Sequence, residues 1–262
     1  MDSLEQLACW AFDCDRTQLY LGDYEADEEK MKAFHEALDS YARGVPAQYI
    51  TGETEFMGLE FQVNPSVLIP RPETEVLVER VLQLMGKEGF ASPYVLDLGT
   101  GSGAIAVSLT KHNPLCKIVA SDISEEVLEV AKANAALNGV TDSIHFILSD
   151  LFSGIDENER FDLIISNPPY IPADHYDALP LEVKSEPRLA LDGGEKGLEF
   201  YRKIIPESAK RLKESGYLVM EMGFGQSETI KKLADSTGSF VETEIVKDHN
   251  GINRVFFARK HR

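Results

Sequence analysis

Long apolar runs are missing from this 262-residue chain, and no stretch approaches the roughly 20 residues that a membrane span requires, so a soluble protein is expected. Cysteine is scarce: Cys9, Cys14 and Cys116 are odd in number and far from a C-x-x-C spacing. That argues against a disulfide framework and against a structural zinc site. The six histidines are scattered without a pair at ligand spacing, so no metal is expected. Positive charge is also short. Lys plus Arg is 26 against 44 Asp plus Glu, a net charge of −18, and such a field repels phosphate backbones unless a local basic patch overrides it. Nucleic acid and membrane are therefore not expected as partners. The N-terminal "MDSLEQLACW" has no basic region ahead of an apolar one, so it does not read as a signal peptide, and a cytoplasmic location is expected.

What is present suits a globular enzyme-sized chain. A composition 43% hydrophobic and 27% charged is ordinary. At this length one large α/β domain, with or without an accessory piece, can bury about 70–75% of its unfolded surface.

Three regions follow from the patterning. Residues 1–52 are polar and acidic, with apolar Met31, Phe34, Ala37, Leu38 and Tyr41 at helical spacing and a stop at Gly44 to Pro46, which predicts a small helical segment. Residues 53–70 place Phe56, Leu59, Phe61 and Val63 around Gly58 and predict a hairpin-like linker. From residue 71 onward "RPETEVLVERVLQLMG" predicts a helix that starts at Pro72 and stops at Gly86. Short apolar runs then alternate with helical ones. Strands are predicted at 94–98, 117–121, 144–148, 162–166, 216–222 and 255–258, and Asn250-Gly251 marks an antiparallel hairpin that closes the sheet. Such alternation implies a mostly parallel sheet covered on both faces, with ligands beyond the carboxyl ends of its strands.

Four strand ends carry chemistry. "LDLGTGSGAIA" puts Gly99, Thr100, Gly101, Ser102 and Gly103 where a strand becomes a helix, so backbone can approach a ligand closely and a helix N-terminus faces it. The pattern admits a dinucleotide as well as a nucleoside. Asp122, nineteen residues beyond Gly103, can accept ribose hydroxyls under either reading. Asp97 favours a positively charged ligand such as the amino acid and sulfonium portion of S-adenosylmethionine, because it would repel a pyrophosphate. Asp150 and Phe152 in "LSDLF" can meet an exocyclic amine and an adenine ring. After the fourth run comes "SNPPY". Pro168 and Pro169 remove two backbone donors and fix two φ angles, so Asn167 to Tyr170 is held stiff.

With "DLGTGSG", Asp122, "SDLF" and "NPPY" on consecutive strand ends, the chain resembles the Rossmann-like class I S-adenosylmethionine-dependent methyltransferases. "GVPAQYITGETEF", "LIPRPETE", "SNPPYI" and "EPRLALDGGEKGLEFYR" narrow the likeness to the HemK/PrmC family of protein-(glutamine-N5) methyltransferases. The resemblance implies a seven-stranded sheet with a C-terminal antiparallel hairpin. It implies S-adenosylmethionine as cofactor and the glutamine of the Gly-Gly-Gln loop of peptide chain release factors as substrate. Family members usually carry a longer helical N-terminal domain, so the docking segment at 1–52 is expected to be short. A monomer is expected.

An amide nitrogen is a weak nucleophile, and acceptors aimed at its N–H bonds would pull electron density onto it. Asn167 can supply its side-chain oxygen, Pro168 its backbone carbonyl, and Tyr170 a stacking face, with Asn167 also at the cofactor's edge. Pro169 and, at the helix entry, Arg71 complete the expected substrate contacts. Two other readings stay open: a nucleic-acid adenine-N6 or guanine-N2 methyltransferase, and a non-catalytic dinucleotide-binding protein.

Overall fold

A computed structural model describes residues 2–262. Four helices come first: α1 (Ser3–Phe12), α2 (Arg16–Leu21), α3 (Glu28–Ala42) and α4 (Ala47–Thr51). Asp2 and Glu5 form a reciprocal capping box on α1, Asp15 and Gln18 form another on α2, and Asp27 caps α3. The four helices pack around Leu7, Ala37 and Ala47. Strands β1 (Glu53–Phe56) and β2 (Leu59–Gln62) form the expected hairpin. Its turn, Met57-Gly58, has φ of 53° and 70°, the double positive φ of a tight type I′ connection.

The remainder is a seven-stranded sheet. Helix α5 (Pro72–Glu88) leads to β3 (Tyr94–Leu98), α6 (Ala104–His112), β4 (Lys117–Asp122), α7 (Glu125–Leu137), β5 (Ile144–Leu148) and β6 (Phe161–Ser166). Two one-turn helices, α8 (Leu181–Lys184) and α9 (Arg188–Leu191), precede α10 (Glu199–Arg211), β7 (Leu212–Glu221), α11 (Ser227–Ser236), β8 (Phe240–Lys247) and β9 (Asn253–Lys260). The strand order is β5-β4-β3-β6-β7-β9-β8, parallel through the first five and antiparallel for the last two. Val95, Leu163, Ile165 and Val219 face one core with α5 and α6, while Leu96, Ile164, Leu218 and Met220 face the other with α10 and α11. Both faces are covered, as parallel strands require.

Several boundaries differ from the sequence expectation: β7 covers Leu212–Glu221 rather than 216–222, and β9 covers Asn253–Lys260 rather than 255–258. Helix α5 runs past Gly86 to Glu88 and stops at Gly89, which takes the left-handed φ of 68° and returns its N–H to Met85; Gly86 faces open space and merely rides in the last turn. The C-terminal hairpin turns over five residues rather than two, because the Asp248 carboxylate accepts the N–H groups of Asn250 (2.9 Å) and Ile252 (3.0 Å).

The chain leaves β3 toward β4 on one side and returns to β6 on the other, so β3 and β6 flank the point where the strand order reverses. A crevice opens there at the carboxyl ends of the strands. Both sequence motifs, the glycine turn and "NPPY", stand at that crevice.

Candidate active site

A cavity of about 390 Å³, inside the range typical of small-molecule sites, lies at this switch point. Its floor is the glycine turn. Gly99, Gly101 and Gly103 all have positive φ (70°, 57° and 82°), and a Cβ built on Gly99 or Gly101 would meet no atom within 4 Å, so a ligand can lie directly against their backbone. Gly103 also lets α6 pack on α7, since a Cβ there would stand 3.3 Å from Ala131. Thr100, Ser102, Ala104 and Ile105 complete the floor at the start of α6. Asp122 stands on the wall at the end of β4, with one carboxylate oxygen held by the Gly101 N–H at 3.0 Å. Burial raises the pKa of Asp122, and the backbone N–H groups of Gly101, Ser124 and Ile123 oppose that rise.

Asp97 is placed differently from a direct ligand contact. It is fully buried beneath the floor; Oδ2 accepts the Thr100 hydroxyl at 2.7 Å and Oδ1 has no partner. Burial pushes its pKa to about 7, with the Thr100 hydrogen bond opposing and Asp122 adding to the rise. An unpartnered buried carboxylate oxygen under an open glycine cradle fits a ligand carrying positive charge, such as a sulfonium with its α-ammonium group. It does not fit a pyrophosphate.

Asp150 lines the cavity after β5, but Phe152 does not. Leu151 takes a left-handed φ of 50°, which reverses the side-chain alternation. Leu151 therefore faces the cavity, whereas Phe152 is 6% exposed in the core beneath α10, with the Arg211 guanidinium 5.5 Å from its ring centre. Of the two side chains, Leu151 lines the cavity and Phe152, where the sequence placed an adenine contact, does not.

Across the floor, Asn167, Pro168 and Pro169 form the opposite wall at the end of β6. The Asn167 amide nitrogen donates to Thr74 Oγ1 at 3.2 Å, and Thr74 donates in turn to buried Glu221 at 2.6 Å. Among the described residues no protein donor meets Asn167 Oδ1 or the Pro168 carbonyl. Tyr170 stands just outside the wall, half-buried, its hydroxyl donating to Glu221 at 3.2 Å. Burial raises the Tyr170 phenol, and the Glu221 charge adds to the rise. Burial likewise pushes Glu221 to about 7, opposed first by the Thr74 hydrogen bond and then by the charge of Arg254.

The motif's backbone is clamped from outside. Gln226 donates to the Tyr170 carbonyl at 2.9 Å while its own oxygen accepts the Gly223 N–H at 2.8 Å. A Cβ on Gly197 would lie 2.0 Å from the Tyr170 carbonyl oxygen, and one on Gly193 would lie 2.7 Å from that of Pro169, so only glycine permits this approach. Thus the "DGGEKG" stretch shapes the motif from behind.

Arg71 lines the cavity from the segment before α5, and its guanidinium pairs with Glu186, whose side chain is 2% exposed. Glu186 also accepts the Ile69 N–H at 3.1 Å. The pair clasps the two rims of the cavity, residues 66–71 and 187–190, across the mouth. Both rims are tied to the helical segment as well, by Tyr49 to the Val67 carbonyl at 2.5 Å and Ser185 to the Gly44 carbonyl at 2.8 Å. Thr74, Glu221, Gln226 and the clasp role of Glu186 were not singled out from the sequence.

The match to known proteins agrees with this geometry. Residues 73–179 match the methyltransferase small domain family, and residues 2–52 match the PrmC N-terminal domain. A release factor glutamine methyltransferase of Koribacter versatilis is 40% identical over 260 residues, 98% of this chain and 90% of the relative. One from Moorella thermoacetica is 40% identical over 97% of this chain and 89% of the relative. The Thermus thermophilus 16S rRNA N2 G1207 methyltransferase shares the fold, with a TM-score of 0.59 at 20% identity, covering 80% of this chain and 50% of that one. The same fold therefore carries a nucleic-acid substrate elsewhere, and fold alone does not choose the substrate. Identity of 40% across nearly the whole of both chains does settle kinship: the chain belongs to the release factor glutamine methyltransferase family.

Proposed function

We propose that this enzyme transfers a methyl group from S-adenosylmethionine to the side-chain N5 of the glutamine in the Gly-Gly-Gln motif of peptide chain release factors. One observation carries the reading: Asn167 Oδ1 and the Pro168 carbonyl, with no protein donor, share a wall opposite the glycine cradle. Two acceptors suit the two N–H bonds of a primary amide. Tyr170, its ring fixed through the hydroxyl on Glu221, offers a face on which the planar amide can stack.

When bound, S-adenosylmethionine supplies an electrophilic methyl on a sulfonium. Gly99 to Gly103, Asp122 and Asp150 hold its nucleoside and amino-acid portions, and the Asp97 charge below the floor favours its positive end. Asn167 and Pro168 accept the amide N–H groups, draw density onto nitrogen and oppose its planarity. The N–C bond would form as the sulfur–methyl bond breaks, leaving the neutral thioether S-adenosylhomocysteine, and one of those accepted amide protons leaves toward water. Alignment of nitrogen and methyl carbon alone can contribute about 7–11 kcal/mol. No general base of ordinary pKa could ionise the amide beforehand, so positioning and electrostatics must carry the reaction.

The docking of a release factor is assigned to residues 1–52, with 53–70 as linker and 71–262 as the methyltransferase domain. The first 52 residues hold 11 acidic and 4 basic side chains, net 4 − 11 = −7, which suits a partner whose rRNA-facing surface is basic. The overall charge of −18 argues against a nucleic-acid substrate. A monomer working in the cytoplasm alongside translation completes the proposal. Among the described residues no helix is long and apolar enough to cross a membrane.

The test is mass spectrometry of a release factor incubated with the enzyme and S-adenosylmethionine. One added methyl on the Gly-Gly-Gln glutamine is expected. An unmodified factor, or label transferred to RNA instead, overturns the assignment.

A further inference from the structure

Glu221 ends β7 with no exposed surface, and beyond holding the Tyr170 hydroxyl its carboxylate has no part in the methyl transfer described above. Its two oxygens are nonetheless engaged: Oε2 accepts the Thr74 hydroxyl at 2.6 Å and Oε1 the Tyr170 hydroxyl at 3.2 Å. Tyr201 donates to its backbone carbonyl at 2.9 Å. A threonine hydroxyl has one proton. When Glu221 is ionised, as it is above about pH 7, its carboxylate can only accept, so that proton goes to it and Thr74 Oγ1 can face Asn167 only as an acceptor. The amide therefore has to turn its nitrogen toward Thr74, at 3.2 Å. The opposite flip would set amide oxygen against hydroxyl oxygen with no proton between them, and would point an N–H at the incoming substrate N–H groups.

We propose that Glu221 and Thr74 are positioning residues for the methyl transfer. Through the single proton of the Thr74 hydroxyl, the Glu221 carboxylate selects the one flip of the Asn167 amide that presents Oδ1 to the substrate nitrogen. This inference rests on the reading of Asn167 as substrate acceptor. It assigns a role to a relay whose members lie 93 and 147 residues apart in the chain. The same carboxylate holds Tyr170, so one buried group orients both ends of "NPPY".

Two measurements test it. In steady-state kinetics, Thr74→Val keeps the shape and removes the hydroxyl, and should lower kcat about tenfold or more while KM for the release factor and Kd for S-adenosylmethionine stay within about threefold. Thr74→Ser should restore the lost kcat. A parallel rise of KM and Kd, or failure of serine to rescue, would mean a structural role and overturn the proposal.

The second measurement needs no substrate. In side-chain amide NMR, the Asn167 NH₂ signals, assigned by their loss in Asn167→Asp, should show one slowly exchanging, hydrogen-bonded proton in the wild type and in Thr74→Ser. In Thr74→Val both protons should exchange fast. Fast exchange of both protons in the wild type refutes the relay even if the valine variant fails to fold. A wild type with the protected proton but no methylation of the release factor would leave the relay standing and overturn the proposed function instead.

Discussion

The clasp across the cavity mouth makes an asymmetric prediction. Arg71 and Glu186 form one ion pair, yet their surroundings differ: the Arg71 side chain is 32% exposed and that of Glu186 only 2%. Removing the arginine leaves a carboxylate in the interior with only the Ile69 N–H for company, a loss of about 3–5 kcal/mol by comparison with other broken buried pairs. Removing the glutamate leaves a guanidinium that can swing into water, plus one unpaired Ile69 N–H worth about 1–3 kcal/mol. Arg71→Ala should therefore destabilise more than Glu186→Ala, and the double variant should resemble Glu186→Ala, because the stranded charge is gone. For a chain of this size each kcal/mol moves Tm by about 2–4 °C, which gives roughly 6–20 °C for Arg71→Ala and about 2–12 °C for Glu186→Ala. Scanning calorimetry with and without S-adenosylmethionine measures both. Equal deficits, or a larger one for Glu186→Ala, would refute the reasoning and return Arg71 to a pure substrate contact.

Asn167→Ala should reduce turnover at least a hundredfold and leave the S-adenosylmethionine Kd, read by calorimetry, within about threefold. Gly197→Ala forces a methyl group onto the Tyr170 carbonyl, 2.0 Å away, at a φ of 67°; a loss of more than about 2 kcal/mol in urea unfolding is expected, with kcat falling too. Stability should fall as pH rises from about 4 to 7. Asp97 and Glu221 have folded pKa values raised to about 7 from 3.8 and 4.5, so the unfolded chain releases their protons first and the folded form retains them. The penalty levels off above pH 7 at roughly 3–4 kcal/mol per group. Asp97→Asn and Glu221→Gln should each flatten the slope of Tm against pH, and saturating S-adenosylmethionine should remove the Asp97 share. Association with a release factor should slow as salt rises, measured by stopped flow; salt-independent rates would count against electrostatic steering by residues 1–52.

Local signals in the chain were legible where one short segment supplies all the geometry. Strands β3 and β5 fall at the predicted residues, and β4 and β6 differ by one. The glycine turn and "NPPY" announce themselves because positive φ and missing donors are properties of single residues. The helices α1 and α2 carry a local mark in the capping boxes Asp2–Glu5 and Asp15–Gln18, whereas hydrophobic spacing in 1–52 points only to α3. Phe152 shows the limit. A position after a strand end does not say which way a ring turns, and the left-handed φ of Leu151 sent it into the core.

By itself the sequence determined the order of strands and helices, the cofactor turn, the stiff motif and the acidic surface. Each depends on residues within about a dozen positions of one another. Only the tertiary structure decided which groups complete the site: Thr74 and Glu221 behind Asn167, Gln226 behind Tyr170, and Glu186 across from Arg71. Their partners lie 51 to 147 residues away, and the contacts exist because the parallel sheet brings the carboxyl ends of β6 and β7 beside the start of α5. A buried carboxylate gives no local pattern to read, since its role is set by burial and by what surrounds it.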